Sequence, residues 1–239
     1  MINGKQVLGV TLARGGSKSV PSKNIRPIAG VPLIAFTIRE ALKSKYIDRY
    51  VVSTDDERIA EVARGYGAEV PFMRPAHLAT DTAPSGAAVH HALQFMENLG
   101  AVRYSYVTEL MATNPFKTVE QIDRSIEMID ESGADAVVAV TRVFDQHPAR
   151  VKQMTEDGRL VDFCVPEPLE ARRQDLGPPA YIRCGSIYTT DREYLMATKA
   201  RYSADNTYAL VVPEKESVNV DEEIDFVVAE VLARQLGLV

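Results

Sequence analysis

The sequence predicts an α/β protein built around a mostly parallel β-sheet. Short apolar segments rich in β-branched residues, beginning with VLGVTL at 7–12, alternate with segments whose apolar residues recur at helical spacing. Turn-forming residues separate the two kinds of segment at short intervals, which is the pattern of repeated β–α–β units. The chain has 239 residues, of which 46% are hydrophobic, and this is enough for one large α/β domain. We expect a single domain over residues 1–239.

In the first part of the chain, the predicted elements follow one another in the order strand, loop, helix. Residues 14–24 are rich in Gly, Ser, Lys and Pro, so we expect a loop directly after the first strand. Gly67 ends the second predicted helix. The predicted strands lie at 7–12, 49–53 and 69–72, and the predicted helices at 31–43 and 56–66.

The alternation continues in the second part of the chain. Thr118 and Gln121 have the spacing of a capping box and predict the start of a helix. The last helix is predicted from an apolar stripe at helical spacing. That stripe consists of Ile224, Val227, Val228, Val231 and Leu232. The other predicted elements are a helix at 87–96 and strands at 104–111, 135–140 and 181–189.

Residues 144–180 differ in texture from the rest of the chain. They are rich in Pro, Arg, Glu and Gln, and the turn at Glu156-Asp157-Gly158 indicates a hairpin. We interpret this segment as an arm that is inserted in the domain and projects from the sheet. Extended arms expose strand edges that a second copy of the chain can cover, so we expect a homodimer. The pair His147-Pro148 is expected to pack at the base of the arm or to contact the partner.

Composition excludes several classes of protein. The formal net charge is −6, which argues against a nucleic-acid-binding protein. No apolar run is long enough for a membrane span or for the core of a signal peptide. The cysteines Cys164 and Cys184 form no metal-binding or redox motif. We therefore expect a cytoplasmic protein with two reduced thiols.

The loop ARGGSKSVPSKN at 13–24 is the strongest functional signal. It follows the first strand at its carboxyl end, where open α/β sheets bind ligands. Glycines let backbone amides approach an anion, and Arg14, Lys18 and Lys23 supply positive charge. The loop matches neither a Walker A motif nor a dinucleotide fingerprint. It predicts a polyphosphate site, and the alternative is a solvated basic turn.

Further motifs occur in a fixed order along nearly the whole chain. They are STDD at 53–56, RP at 74–75 with LATDT at 78–82, TNPFKT at 113–118, RRQDL at 172–176, GSIY at 185–188 and VNVD at 218–221. Together with the loop at 13–24, these segments resemble the blocks of the sugar-activating cytidylyltransferases, especially the acylneuraminate cytidylyltransferases (CMP-nonulosonate synthetases). The resemblance implies a three-layer, Rossmann-like nucleotide-diphospho-sugar transferase fold with an extended dimerisation arm.

The resemblance also implies a reaction and a nucleotide site. Family members join CTP to an acidic sugar of nine or eight carbons and release pyrophosphate. Arg14 and Lys23 match residues that hold the triphosphate, and we treat both as catalytic. Asp55 is expected to line the nucleotide site, although Thr54 and Glu57 could equally form a helix capping box. The predicted nucleotide-binding residues are Ala13, Arg14, Gly15, Gly16, Ser17, Lys18, Lys23, Asn24, Asp55 and Asp81.

Mg²⁺ is the expected cofactor, held by one or two carboxylates and by phosphate oxygens. Asp221 matches the second aspartate of the family's D-x-D motif and is the predicted catalytic metal ligand. Asn219 replaces the first aspartate, which argues against a two-carboxylate metal site and leaves Asn219 the weaker metal candidate. The alternative for Asp221 is the N-cap of the last helix.

The expected sugar-side residues depart from the family pattern. Met111 stands where a glutamine is usual, Cys184 stands where an asparagine is usual, and the preceding arginine is shifted to Arg183. These losses suggest an acidic sugar with fewer hydroxyl groups, of the legionaminic or pseudaminic type. The predicted substrate-binding residues are Met111, Thr113, Asn114, Arg173 and Arg183.

Two alternatives remain open. A related nucleotidyltransferase could use another nucleoside triphosphate or sugar, of the CMP-KDO type or the GTP:sugar-phosphate type. A non-catalytic nucleotide- or sugar-binding homologue is the second alternative, and the loss of the aspartate at Asn219 is the feature that favours it.

Overall fold

The computed structural model describes all 239 residues, and it confirms the α/β fold class. The strands are β1 (Val7–Leu12), β2 (Pro27–Ile28), β3 (Val31–Pro32), β4 (Arg49–Ser53), β5 (Tyr106–Leu110), β6 (Ala136–Val143), β7 (Lys152–Met154), β8 (Leu160–Asp162), β9 (Ala180–Asp191) and β10 (Thr207–Val211). The helices are α1 (Leu33–Ala41), α2 (Glu57–Gly65), α3 (Ser85–Gly100), α4 (Val119–Ser132), α5 (Arg192–Thr198) and α6 (Glu223–Gln235).

Six strands form one central sheet in the order β10-β6-β9-β5-β1-β4. Strand β9 runs antiparallel to its neighbours β5 and β6, and the remaining strands run parallel to one another. Helices α1, α2 and α4 pack on one face of the sheet, and α3 and α5 pack on the other. The result is three layers, with the carboxyl ends of β1, β4 and β5 at a common edge.

The predicted strand at 69–72 is wrong. Only isolated bridges form there, from Val51 to Glu69 and from Thr54 to Met73. Pro71 has no N–H to donate to a ladder, so continuous pairing stops in this segment. The helix predicted at 31–43 begins at Leu33, because residues 31–32 pair with 27–28 in a small hairpin. Two further elements, β10 and α5, have no counterpart in the sequence prediction.

The predicted last helix is confirmed, and most of its apolar stripe faces solvent. Ile224, Val227, Val228 and Val231 are all exposed. The buried face consists of Phe226, Ala229 and Ala233, which pack with α1 and β2 in a separate cluster that Leu232 also touches. Small alanine side chains let the helix approach that surface closely, and the more hydrophobic stripe lies on the opposite face.

The segment 144–180 contains the expected hairpin. Strands β7 and β8 pair antiparallel around the turn at Gly158. At the base, His147 is buried, its Nε2 lies 2.9 Å from the carbonyl oxygen of Pro178, and its Nδ1 accepts the N–H of Ala149 at 3.2 Å. The arm itself exposes large apolar side chains, among them Leu169, which is 97% exposed. In the whole chain, no helix is both long and apolar enough to cross a membrane.

Candidate active site

A cavity of about 570 Å³ opens at the edge of the sheet where β1 and β5 end. The loop 13–24 forms one wall of the cavity, and the end of β5 forms its floor. The predicted site residues that line it are Arg14, Ser17, Lys18, Lys23, Asn24, Asp81, Met111, Thr113 and Asp221. The predicted site residues outside this lining are Ala13, Gly15, Gly16, Asp55, Asn114, Arg173, Arg183 and Asn219.

The cations of the loop are each paired with a carboxylate across the cavity. Asp81 accepts Nη1 of Arg14 at 2.8 Å on one oxygen and Nζ of Lys18 at 2.5 Å on the other. The hydrogen bond from Lys18, together with the charge of Arg14, lowers the pKa of Asp81. All three side chains are at least partly exposed to solvent. One carboxylate thus bridges two cations, which is the arrangement that a phosphate group could also adopt.

Lys23 and Asp221 form the second pair. Lys23 Nζ lies 2.6 Å from Oδ1 of Asp221 and is mostly shielded from solvent. The other carboxylate oxygen of Asp221 accepts the Asn219 amide, and its backbone carbonyl accepts the Ser19 hydroxyl at 2.6 Å. The N-cap of α6 is Glu222, which forms a capping box with Asp225. The alternative in which Asp221 caps this helix is therefore wrong, and its side chain points to the loop.

Several predicted nucleotide residues hold the loop in place from behind. Asn24 donates its Nδ2 to the carbonyl of Arg14 at 3.0 Å, and Asp55 accepts the N–H of Gly15 at 3.0 Å. The N–H of Ala13 continues the pairing of β1 with β4 by donating to Ser53 at 3.0 Å. A Cβ at Gly15 would lie 2.8 Å from Cβ of Asp56, so only glycine fits there. These contacts fix the backbone from which the loop cations project.

The predicted capping box between Thr54 and Glu57 is wrong. Asp56 is the N-cap of α2 and accepts the N–H of Arg58 at 2.8 Å. Thr54 instead accepts the N–H of Asp56 at 3.1 Å, and Glu57 pairs with Arg64. Asp and Thr are both good cap residues, and the backbone placed Asp56 where its carboxylate meets the free N–H groups of the helix.

Two charged residues on the floor were not predicted as site residues. Arg74, which is 7% exposed, donates its Nε to the Ser53 hydroxyl at 3.1 Å and forms no salt bridge. Burial lowers the pKa of the Arg74 guanidinium. Glu109 is 2% exposed and accepts Nη1 of Arg201 at 2.8 Å. A charged residue at the end of the apolar strand YVTEL is the signal that could have identified Glu109.

The predicted sugar-side residues lie in four places. Met111 and Thr113 line the cavity itself. Asn114 is fully buried and donates its amide to the carbonyls of Cys184 and Val218, at 2.8 and 3.1 Å. Arg183 stacks on the ring of Tyr202 at 4.4 Å. Arg173 lies on a second cavity, of about 820 Å³, at the base of the arm, where it pairs with Asp145 at 3.1 Å.

A buried lysine supports the segment that carries Met111 and Thr113. Lys117 is 1% exposed and donates its Nζ to the Thr37 hydroxyl at 2.8 Å, to the Met111 carbonyl at 2.8 Å and to the Asn114 carbonyl. Burial without a paired carboxylate lowers the pKa of Lys117 to about 7. The lysine ties the loop after β5 to α1.

The carboxylates present fit a metal that is held partly by a substrate. Nowhere in the chain do three Asp, Glu, His or Cys side chains converge on one point. Mg²⁺ commonly takes one or two carboxylates and fills its other positions with water and phosphate oxygens. Asp221 can supply one carboxylate at the cavity wall. Asn219 turns its amide nitrogen to Asp221, so in this arrangement it is a hydrogen-bond donor and not a metal ligand.

Comparison with known proteins tests the expected family. The family model described as cytidylyltransferase matches residues 8–224. The chain is 35% identical over 227 residues to a CMP-N,N'-diacetyllegionaminic acid synthase of Legionella pneumophila, covering 95% of this chain and 96% of that protein. It is 36% identical over 176 residues to a pseudaminic acid cytidylyltransferase of Campylobacter jejuni, covering 74% of each.

A solved structure shares the fold at low sequence identity. The structure of CMP:2-keto-3-deoxy-manno-octonic acid synthetase complexed with CTP superposes with a TM-score of 0.71 at 15% identity, covering 97% of this chain and 99% of that chain. This likeness concerns the fold alone, and it confirms the predicted three-layer, Rossmann-like fold. The sequence matches confirm the expected resemblance, and the chain belongs to the cytidylyltransferase family.

Proposed function

We propose that this protein condenses CTP with an acidic nine-carbon sugar to give a CMP-sugar and pyrophosphate. The observation that carries the proposal is the set of cations on the loop 13–24, which converge on one cavity at the ends of β1 and β5. Arg14, Lys18 and Lys23 are held there by carboxylates that an incoming triphosphate can replace. The names of the Legionella and Campylobacter relatives support a nonulosonate as the second substrate.

The proposed reaction needs positioning and charge neutralisation more than covalent chemistry. The sugar hydroxyl attacks the α-phosphorus, the bond to the β-phosphate oxygen breaks, and pyrophosphate leaves. Negative charge is spread over the phosphate oxygens during this transfer, and Arg14 and Lys23 lie where they can neutralise it. The contacts of Asn24 and Asp55 with the loop backbone keep these cations oriented before the substrate binds.

We propose Asp221 as the protein ligand of Mg²⁺, together with phosphate oxygens of CTP. Once bound, the metal would neutralise phosphate charge and orient the triphosphate. The residue's place in the cavity, 2.6 Å from Lys23, supports this role. When the triphosphate draws Lys23 to its own oxygens, the carboxylate of Asp221 becomes free to bind a cation.

For the sugar, we propose a legionaminic or pseudaminic type of acid. The cavity floor carries the thioether of Met111, which offers no strong hydrogen bond to a hydroxyl group. The relatives named after these two sugars support the same choice.

We further propose a homodimer in the reduced cytoplasm. The arm exposes Met154, Leu160, Phe163 and Leu169, and a second copy of the chain could cover this apolar surface. Both cysteines are free thiols, which is in keeping with a reducing compartment. Light scattering at micromolar concentration should give twice the mass of the 26.3 kDa chain. A monomeric mass would contradict the dimer and leave the proposed reaction untouched.

A pyrophosphate-release assay tests the proposed reaction. Each of the four ribonucleoside triphosphates is combined with Mg²⁺ and a panel of acidic nine- and eight-carbon sugars. We expect release with CTP and a diacetamido nine-carbon acid. Release only with an eight-carbon acid, or with GTP and a sugar 1-phosphate, would assign the chain to a different reaction of the same fold. If no member of the panel gave pyrophosphate release, while calorimetry showed that CTP binds, the result would favour the non-catalytic alternative.

A further inference from the structure

A buried carboxylate occupies the floor of the active-site cavity, away from the loop cations. Glu109 is the penultimate residue of β5 and lines the cavity together with Ala88, Met111 and Arg74. Its side chain is 3% exposed. A charge this deeply buried is costly unless its oxygens are bonded, so the partners of each oxygen indicate what the residue does.

The two oxygens of Glu109 differ in their surroundings. Oε2 accepts Nη1 of Arg201 at 2.8 Å, whereas Oε1 has no hydrogen bond within the chain. The side-chain nitrogen and oxygen atoms that are both shut off from solvent and without a hydrogen bond belong to His91 and Asn114. Oε1 of Glu109 is not among them, so it is accessible, and it opens into the cavity that Glu109 lines. The carboxylate therefore offers one free acceptor to whatever occupies the floor.

A second pair, which is partly buried, makes a useful contrast. Glu97 on α3 binds Arg192 through both oxygens, at 2.7 and 2.8 Å, and also accepts the N–H of Tyr104 at 3.2 Å. That pair is closed, and it lines none of the cavities described above. The pair of Glu109 and Arg201 has the same chemistry, but one acceptor remains free and faces the active site.

Arg201 is held so that it fixes the orientation of Glu109. Its guanidinium stacks on the ring of Tyr188 at 4.3 Å, and its Nη1 lies 4.0 Å from the sulfur of Met111. These contacts place the pair on the β9 side of the cavity, next to Met111. The phosphate-binding loop lies on the β1 side. The free oxygen of Glu109 therefore faces the sugar side.

We propose that Oε1 of Glu109 accepts the amide N–H of an acylamino group on the acidic sugar, and that Arg201 is the positioning residue for this contact. This inference rests on the proposed function. A carboxylate accepts hydrogen bonds only, so it favours an N–H donor and repels the sugar's own carboxylate. The small apolar surface of Ala88 and the thioether of Met111 line the same cavity and suit the methyl group of an acyl chain.

The substitution Glu109→Gln tests the contact with almost no change in shape. Because Arg201 can only donate, the new amide turns its oxygen to Arg201 and presents its NH₂ to the cavity. Two donors then face each other when the substrate is an acylamino sugar. A hydroxyl group can accept as well as donate, so an analogue with hydroxyl in place of acylamino escapes the conflict.

The measurement is steady-state pyrophosphate release with CTP and each of these two sugars. For Glu109→Gln we expect kcat/KM for the acylamino sugar to fall about 10- to 100-fold, and kcat/KM for the hydroxyl analogue to change less than threefold. The KM for CTP and the preference for CTP over UTP should stay as in the unaltered protein. Arg201→Met should raise the KM for the acylamino sugar without moving the KM for CTP, and Arg201→Lys should restore part of the loss.

Glu97→Gln is the control, since it removes the partly buried carboxylate charge of an arginine pair outside the cavity. It should lower the melting temperature and leave sugar selectivity unchanged. Two results would overturn the inference. If Glu109→Gln lowered kcat/KM equally for both sugars, Glu109 would have a role in folding. If the variant changed the preference for CTP over UTP, Glu109 would contact the nucleotide base. An unaltered protein that releases no pyrophosphate with any acidic sugar would instead overturn the proposed function itself.

Discussion

Two walls of the same cavity hold their charges in opposite ways. On the loop wall, Arg14 and Lys18 share the partly exposed carboxylate of Asp81. On the floor, Glu109 is buried and pairs with Arg201, and Lys117 lies buried behind the floor, outside the cavity lining, with its Nζ on the Met111 carbonyl. Exposed ion pairs contribute little to stability, whereas removing one partner of a buried pair costs about 3–5 kcal/mol.

This difference separates the ion pairs in which a bound anion can replace the carboxylate from those in which it cannot. In the proposed function, a triphosphate takes the place of the loop-wall carboxylates, because the oxygens of both anions accept charge-assisted hydrogen bonds from arginine and lysine. The floor cannot exchange its partners without opening the core. Substitutions on the loop wall should therefore impair turnover while sparing stability, and substitutions on the floor should change stability or selectivity first.

The largest expected effect is the loss of Lys23. Lys23→Met removes a cation that we propose neutralises the phosphates during transfer, and we expect kcat/KM for CTP to fall about 10²- to 10³-fold. The melting temperature should stay nearly unchanged, because the partner Asp221 is half exposed. Arg26→Met is the matched control, since Arg26 pairs with Glu223 at 2.6 Å outside the cavity. If both variants lost activity equally, the loop wall would have no special role.

The next effect concerns the carboxylate opposite Lys23. Asp221→Ala should reduce metal-dependent turnover about 100-fold and raise the Mg²⁺ concentration needed for half-maximal rate, because the proposed protein ligand is gone. The control is Glu223→Gln, which removes a nearby carboxylate that does not line the cavity. Turnover that kept its normal Mg²⁺ dependence in Asp221→Ala would contradict the proposed metal site.

The difference between the walls also explains how far the sequence could predict this site. The loop cations were predictable because Arg14, Lys18 and Lys23 lie within one short segment after a strand. Glu109 and Arg201 come from distant parts of the chain, and only the pairing of β5 with β9 brings their neighbourhoods together. Asn114 has the right residue type for binding, yet three backbone carbonyls surround its amide and occupy it structurally.

In the fold as well, features set by a short segment were predictable, and features set by distant parts of the chain were not. Strands β1 and β4 were predicted with their observed bounds, since a fully buried parallel strand is a continuous apolar run. The buried face of α6 was not, because Ile224 and Val227 are more hydrophobic than the alanines that the core selects. Hydrophobic periodicity locates a helix, but which face packs depends on the shape of the neighbouring surface.

Behind the floor, Lys117 should make the free energy of unfolding depend on pH. Its pKa is about 7 in the folded protein and near 10.5 when unfolded, so between these values the unfolded chain binds more protons. The free energy of unfolding should therefore rise with pH in this window, by about 2 kcal/mol from pH 7 to pH 9.

The measurement is urea unfolding at several pH values, with Lys117→Met as the comparison. The variant has no titrating group at this position, so the rise should be absent from it. The variant should also be less stable than the unaltered protein at pH 9, because the carbonyls of Met111 and Asn114 lose their donor. Parallel pH profiles for the two proteins would contradict the low pKa of Lys117.

The smallest expected effect tests whether the loop-wall carboxylates compete with the nucleotide. Asp81 must release Arg14 and Lys18 before a triphosphate can bind both of them. Asp81→Asn weakens that competition, so we expect the KM for CTP to fall two- to fivefold at low salt, and the difference should shrink at high salt because the charges are exposed. The control is Asp157→Asn in the arm, whose carboxylate pairs with Arg159 far along the chain from the loop. A higher KM in Asp81→Asn would instead mean that Asp81 contacts the nucleotide directly, as the sequence prediction has it.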